Sequence, residues 1–142
     1  MAWTILIADD SHSARAQLRA PLEARGVKVV EAENGREGLW RARETVFDLV
    51  IADIHMPVMD GLAMIREVRK LPGYAAIPIF VVTADATSAR MEQGRKAGAS
   101  AWMLKPARPD LLWKAIEKAL FRKPAASAQV GEAKTGERTG EP

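Results

Sequence analysis

The chain has 142 residues, no cysteine and a formal net charge of +3, from 21 Lys and Arg against 18 Asp and Glu. That length fits one domain with its own core, and the missing thiols exclude disulfide frameworks, thiolate metal sites and cysteine nucleophiles. No apolar run approaches a membrane span, no basic-then-apolar leader opens the chain, and the basic residues lie scattered among acids, so the expectation is a cytoplasmic protein with no membrane and no nucleic-acid partner.

The first short apolar run covers residues 3–8. A helix-like stretch follows, with Leu18 and Leu22 four apart and Gly26 placed to end it. Pro21 falls inside this stretch, where the lost hydrogen bond to Gln17 costs about 3 kcal/mol and predicts a kink. A second run spans 27–30, Asn34-Gly35 opens a second helix, and a third run spans 47–52. Met64 and Val68 repeat the helical spacing, and Pro72-Gly73 separates that helix from a fourth run at 77–82. The fifth run is 101–104, followed by a helix whose stripe is Leu112, Ile116 and Leu120. The runs are too short for typical helices, rich in Ile and Val, and nearly continuous, as strands covered on both faces should be. Strand and helix alternate five times, which predicts an α/β fold, a doubly wound five-stranded parallel sheet with five helices. From Arg122 onward large apolar residues almost disappear, so the expected division is a domain at 1–122 and a disordered tail at 123–142.

The polar residues that follow the apolar runs carry the chemistry. Asp9 and Asp10 follow the first run, Asp53 the third, Thr83 the fourth and Lys105 the fifth. In an open α/β sheet the carboxyl ends of the strands line one crevice, where ligands bind. Like charges about 4 Å apart at an effective dielectric of 20 repel by roughly 4 kcal/mol, so three converging acids need neutralising. Lys105 can balance one, and an oxygen-only donor set points to Mg²⁺ for the rest. Zinc does not fit, because His12 and His55 are far apart and no cysteine joins them. Singly, each residue has a structural explanation: Asp9 or Asp10 as a helix cap beside Ser11 and Ser13, Asp53 as a turn residue, Thr83 as the cap of the fourth helix, Lys105 as a surface lysine. Four strand ends with complementary groups are not explained that way together.

These residues, with the run Asp-Ile-His-Met-Pro-Val-Met-Asp-Gly at 53–61, Thr83-Ala84 and Lys105-Pro106, resemble the receiver domain of two-component response regulators over residues 3–121. Leu71-Pro72-Gly73-Tyr74 and the segment 98–102 resemble the stand-alone chemotaxis regulators of the CheY type, which implies a flavodoxin-like fold. The resemblance implies that Asp53 accepts a phosphoryl group. It implies that Asp10, Asp53 and the backbone carbonyl of His55 ligate Mg²⁺, with Asp9 acting through water. Lys105 then pairs with phosphoryl oxygens, Thr83 hydrogen-bonds one of them, and Thr83 and Trp102 form the switch. It also implies a cis Lys105-Pro106 bond, inexpensive only for proline. Such a protein is no enzyme beyond its own phosphorylation and dephosphorylation.

The implied partners are a sensor histidine kinase or histidine phosphotransfer protein and, for output, a flagellar motor switch protein, with the chain a monomer or weak dimer. A phosphate sink or a phosphorelay intermediate is the alternative. His55 and Asp85 stand two residues past Asp53 and Thr83, where they bear on phosphoryl lifetime; Trp102 replaces the usual Tyr or Phe, and Ala107 a frequent aromatic. A Mg²⁺-dependent phosphatase with an aspartyl nucleophile shares the chemistry. Those enzymes resemble an Asp-x-Asp pattern after the first strand, whereas Asp9 and Asp10 are adjacent here and Asp53 follows the third.

Overall fold

A computed structural model describes residues 2–121, so the expected tail at 123–142 lies outside the described residues. The elements follow in strict alternation: β1 (Thr4–Ala8), α1 (His12–Glu23), β2 (Lys28–Ala32), α2 (Gly35–Glu44), β3 (Leu49–Ala52), α3 (Gly61–Arg69), β4 (Ile79–Thr83), α4 (Ser88–Ala97), β5 (Ala101–Leu104) and α5 (Pro109–Phe121). All pairings are parallel and the strand order is β2-β1-β3-β4-β5. This is the doubly wound architecture expected from the alternation.

Period-two alternation along the strands feeds two cores. On one face Ile5, Ile7, Leu49, Ile51, Phe80 and Val82 pack with Leu18 and Leu22 of α1 and Leu112 and Ile116 of α5. On the other, Leu6, Val50 and Val81 meet Leu39 of α2, Leu62, Met64, Ile65 and Val68 of α3, and Tyr74. Tyr74 is fully buried, and its hydroxyl accepts from Phe47 N at 3.1 Å and donates to Thr45 O at 2.6 Å. Burial pushes the phenol pKa up, against the bond from Phe47.

The expected boundaries shift in ways that have local causes. β2 runs two residues past Val30 because Glu31, polar in the sequence, is half-buried with its carboxylate bonded to Arg15 and Arg19. α1 continues through Pro21 and ends two residues later, with Ala24 N donating to Ala20 O at 3.0 Å to close the turn around it. The proline still leaves the Gln17 carbonyl without its helical partner, but only two residues of α1 follow it. Caps also fall differently from the simplest reading. Ser11 caps α1 by accepting from Ala14 N, and Thr87, not Thr83, caps α4. Asn34 caps α2 and Asp60 caps α3.

Candidate functional site

The carboxyl ends of β1, β3, β4 and β5 deliver Asp9, Asp53, Thr83 and Lys105 to one rim, and backbone bonds hold the rim in register. Asp9 N donates to Ala32 O at 3.0 Å, Asp53 N to Ala8 O at 2.9 Å, and Lys105 N to Thr83 O at 2.8 Å. Gly61 lets α3 start directly beneath Asp53: a Cβ there would stand 2.0 Å from the Asp53 carbonyl oxygen. The chain enters β5's following loop through a cis Lys105-Pro106 bond, as expected.

Lys105 lies at the centre. Its Nζ is 2.7 Å from Asp9 Oδ2 and 2.7 Å from Asp53 Oδ2. Burial works against the ammonium, but hydrogen bonds and attraction from Asp53 and Asp9 outweigh it, so its pKa is raised above the ordinary value. The other carboxylate oxygens are also engaged: Asp9 Oδ1 accepts from Ser11 N at 2.9 Å, and Asp53 Oδ1 accepts from Ile54 N at 2.6 Å and His55 N at 3.3 Å. Asp53 therefore serves both as a turn residue and as a member of the cluster.

Asp9 and Asp53 are buried while Asp10 faces solvent, and one carboxylate oxygen from each lies within 4.8 Å of the others. Three such oxygens on a solvent-open rim fit a single hard divalent cation that keeps several waters. Thr83 is fully buried, and its Oγ1 accepts from Asp85 N at 3.4 Å. Asp9, Asp10, Asp53 and Lys105 are thus brought together, Thr83 is buried at the end of β4, and Trp102 lies apart from the cluster. The half-buried indole donates from Nε1 to Asp85 O at 3.1 Å and packs on Gly94 of α4.

Asp85 links these parts. Its Oδ2 is 2.9 Å from His55 Nε2 across the mouth of the rim, and its Oδ1 accepts from Thr87 N and Oγ1. The hydrogen bond from His55, then those from Thr87, hold the Asp85 pKa down at about 2.

Sequence reasoning overlooked Arg15. It is buried in α1, donates from Nη1 to Asp9 O at 2.6 Å, and pairs through Nε with Glu31 at 2.6 Å. The signal was its position: residues 15, 18 and 22 share one helical stripe, so the guanidinium had to turn inward with Leu18 and Leu22. Arg15 and Arg19 hold the Glu31 carboxyl below its usual range despite the opposing effect of burial.

Residues 5–117 match the response regulator receiver domain family, and the chain belongs to it. It is similar to the chemotaxis protein CheY4 of Vibrio cholerae, at 33% identity and a TM-score of 0.80, over 84% of this chain and 100% of that one. Protein PilH of Pseudomonas aeruginosa is 36% identical over 116 residues, 82% of this chain and 96% of that protein. The transcriptional regulatory protein ZraR of Salmonella typhimurium is 37% identical over 129 residues, 91% of this chain but 29% of that protein. The chain thus spans less than a third of ZraR. Among the described residues no helix is long and apolar enough to cross a membrane.

Proposed function

We propose that this receiver accepts a phosphoryl group on Asp53 from a phosphohistidine of a sensor kinase or phosphotransfer protein. The observation that carries the reading is the Lys105 ammonium held 2.7 Å from both Asp53 and Asp9 at a rim that also presents Asp10 and Thr83. In the step, an Asp53 carboxylate oxygen forms the new O–P bond as the P–N bond breaks, and the electron pair leaves with the imidazole, which takes up a proton. Catalysis here is positioning and charge neutralisation. Backbone N–H groups of Ile54 and His55 orient the acceptor through Oδ1, leaving Oδ2 beside the lysine. Lys105 is then placed to follow the transferred oxygens, and the Thr83 hydroxyl to bond one of them.

Asp10 and Asp53, with the His55 carbonyl, would hold Mg²⁺ directly, and Asp9 through water. The ion would supply charge that offsets the crowded acids and the incoming phosphoryl oxygens. For output, Thr83 and Trp102 act as the switch, and the partner is a motility component such as a flagellar motor switch protein. The similarity to a chemotaxis protein over that protein's whole length supports a motility role. A phosphate sink or relay role uses the same chemistry, and the similarity to ZraR favours, as a second reading, the receiver of a transcriptional regulator.

The test uses acetyl phosphate with Mg²⁺ and intact-mass spectrometry. The parent should gain one acid-stable, base-labile phosphoryl group and Asp53→Asn none, while Asp10→Ala should bind Mg²⁺ more weakly. Equal phosphorylation of the Asp53 variant overturns the assignment, and unchanged Mg²⁺ affinity in the Asp10 variant overturns the metal set.

A further inference from the structure

Away from the acidic rim, α2 carries two different stripes. Glu37 and Glu44 share one partner, Arg41, which lies 3.6 Å from Glu37 and 3.9 Å from Glu44. The adjacent stripe, Arg36, Trp40 and Arg43, follows the same i, i+4, i+7 spacing but has no such pairing. Among the described residues neither Arg36 nor Arg43 has an ion pair or a side-chain hydrogen bond. Trp40 between them is 52% exposed, with the paired Arg41 guanidinium 5.3 Å from its ring. This stripe forms one wall of a groove of about 790 Å³.

The opposite wall is the β3–α3 loop, through Val58 and Met59. Val58 is 73% exposed and has φ +70°. A β-branched residue in the left-handed region is strained, and a glycine would adopt that conformation freely. Strain and an exposed apolar side chain thus coincide on this wall of the groove. The loop is tied to α2 by Gly35 N donating to Met59 O at 2.8 Å, and a Cβ on Gly35 would stand 2.4 Å from that oxygen. The two walls therefore form one unit.

We propose that this groove docks an acidic segment of a partner protein, with an apolar side chain set between Trp40 and Val58 and carboxylates on Arg36 and Arg43. Seven residues of helix separate those arginines by about 10 Å, so the partner's acids should be spaced to match. Protein is favoured over nucleic acid because Val58 and Met59 make the far wall apolar, and the groove also holds Glu37, which leaves Arg36 and Arg43 as the places for the partner's carboxylates. The loop that forms this wall begins at Asp53, so an occupant would rest on the segment carrying the acidic rim. The inference itself does not depend on phosphoryl transfer.

The probe is a random peptide display library, selected on the full chain and counter-selected on the R36E/R43E variant. Enriched peptides should carry Asp or Glu around an aromatic or aliphatic anchor, and lose about tenfold or more in affinity on W40A and on R36E/R43E. Lys-for-acid versions should regain binding to R36E/R43E, which separates docking from misfolding. V58G should weaken the peptides without lowering the melting temperature. No enrichment, enrichment without acidic bias, or equal binding to both variants overturns the proposal. So does a concentration-dependent dimer abolished by W40A, which would give the groove to a second copy, or an oligonucleotide that binds where no peptide does.

Discussion

Gly94→Ala should destabilise the protein when Trp102 is present and stabilise it when Trp102 is removed. An added Cβ would stand 2.3 Å from Trp102 Cζ3 and 2.9 Å from Cε3, against an optimum near 3.5–4.0 Å, so the ring must retreat by about 1 Å. The ring is anchored through Nε1 to Asp85 O at 3.1 Å, and a retreat that large strains or breaks the bond. Overpacking costs about 1–3 kcal/mol and the hydrogen bond about 1, whereas alanine in a helix interior gains about 0.8–1 over glycine. The net expectation is a loss of about 1–3 kcal/mol in the parent and a gain of about 1 in a W102A background. Urea denaturation followed by circular dichroism measures all four members of the cycle. An equal effect of Gly94→Ala in both backgrounds would refute the packing of the indole against α4 on which the switch role proposed for Trp102 rests.

Tyr74→Phe should cost on the order of 2 kcal/mol in the same assay, because it leaves the Phe47 amide and the Thr45 carbonyl without their partner; a cost near zero would show that water replaces the hydroxyl. Lys105, whose pKa is raised by Asp53 and Asp9, contributes stability that is complete below its ordinary value of about 10.4 and lost as pH rises through its elevated one. Tyr74, raised by burial, loses stability in the same direction above about pH 10, so Lys105→Met is best compared in the Tyr74→Phe background. There the variant should show a shallower alkaline decline in melting temperature, and identical slopes would exclude the lysine pairs as its cause.

Strands, helix stripes and rim residues were legible because each left a pattern in one dimension. Apolar runs ending in Asp53, Thr83 and Lys105 announce a sheet with a polar rim, since parallel strands buried on both faces have few other places for polar groups. Glu31 and Arg15 were illegible for a shared reason. Each is a charged residue at a half-buried or buried position made tolerable by partners distant in sequence, Arg15 and Arg19 for Glu31, and Glu31 and the Asp9 carbonyl for Arg15. Gly94 left no signal either, because a glycine's need for space is set by what approaches it, here the Trp102 ring. The bond from Trp102 to Asp85 O could not be read because its acceptor is backbone.

The same geometry singles out α4 as the helix held with least energy. It fully buries only Gly94 and Ala97, whereas α3 buries Leu62, Met64, Ile65 and Val68, and buried apolar area is the main source of helix stability in a domain. What holds the start of α4 is largely polar: Asp85 receives Trp102 through its carbonyl, His55 and Thr87 through its carboxylate, and offers its amide to Thr83. Polar ties of this kind are each worth about 1 kcal/mol net, so a change at Thr83 or His55 can shift α4 without disturbing the core. Hydrogen exchange under native conditions should find the α4 amides from Met91 to Ala97 exchanging well before those of α3, through local opening. Protection of α4 equal to that of α3 would mean that the helix opens only with the whole domain, and that a signal at the rim has no weakly held element to move.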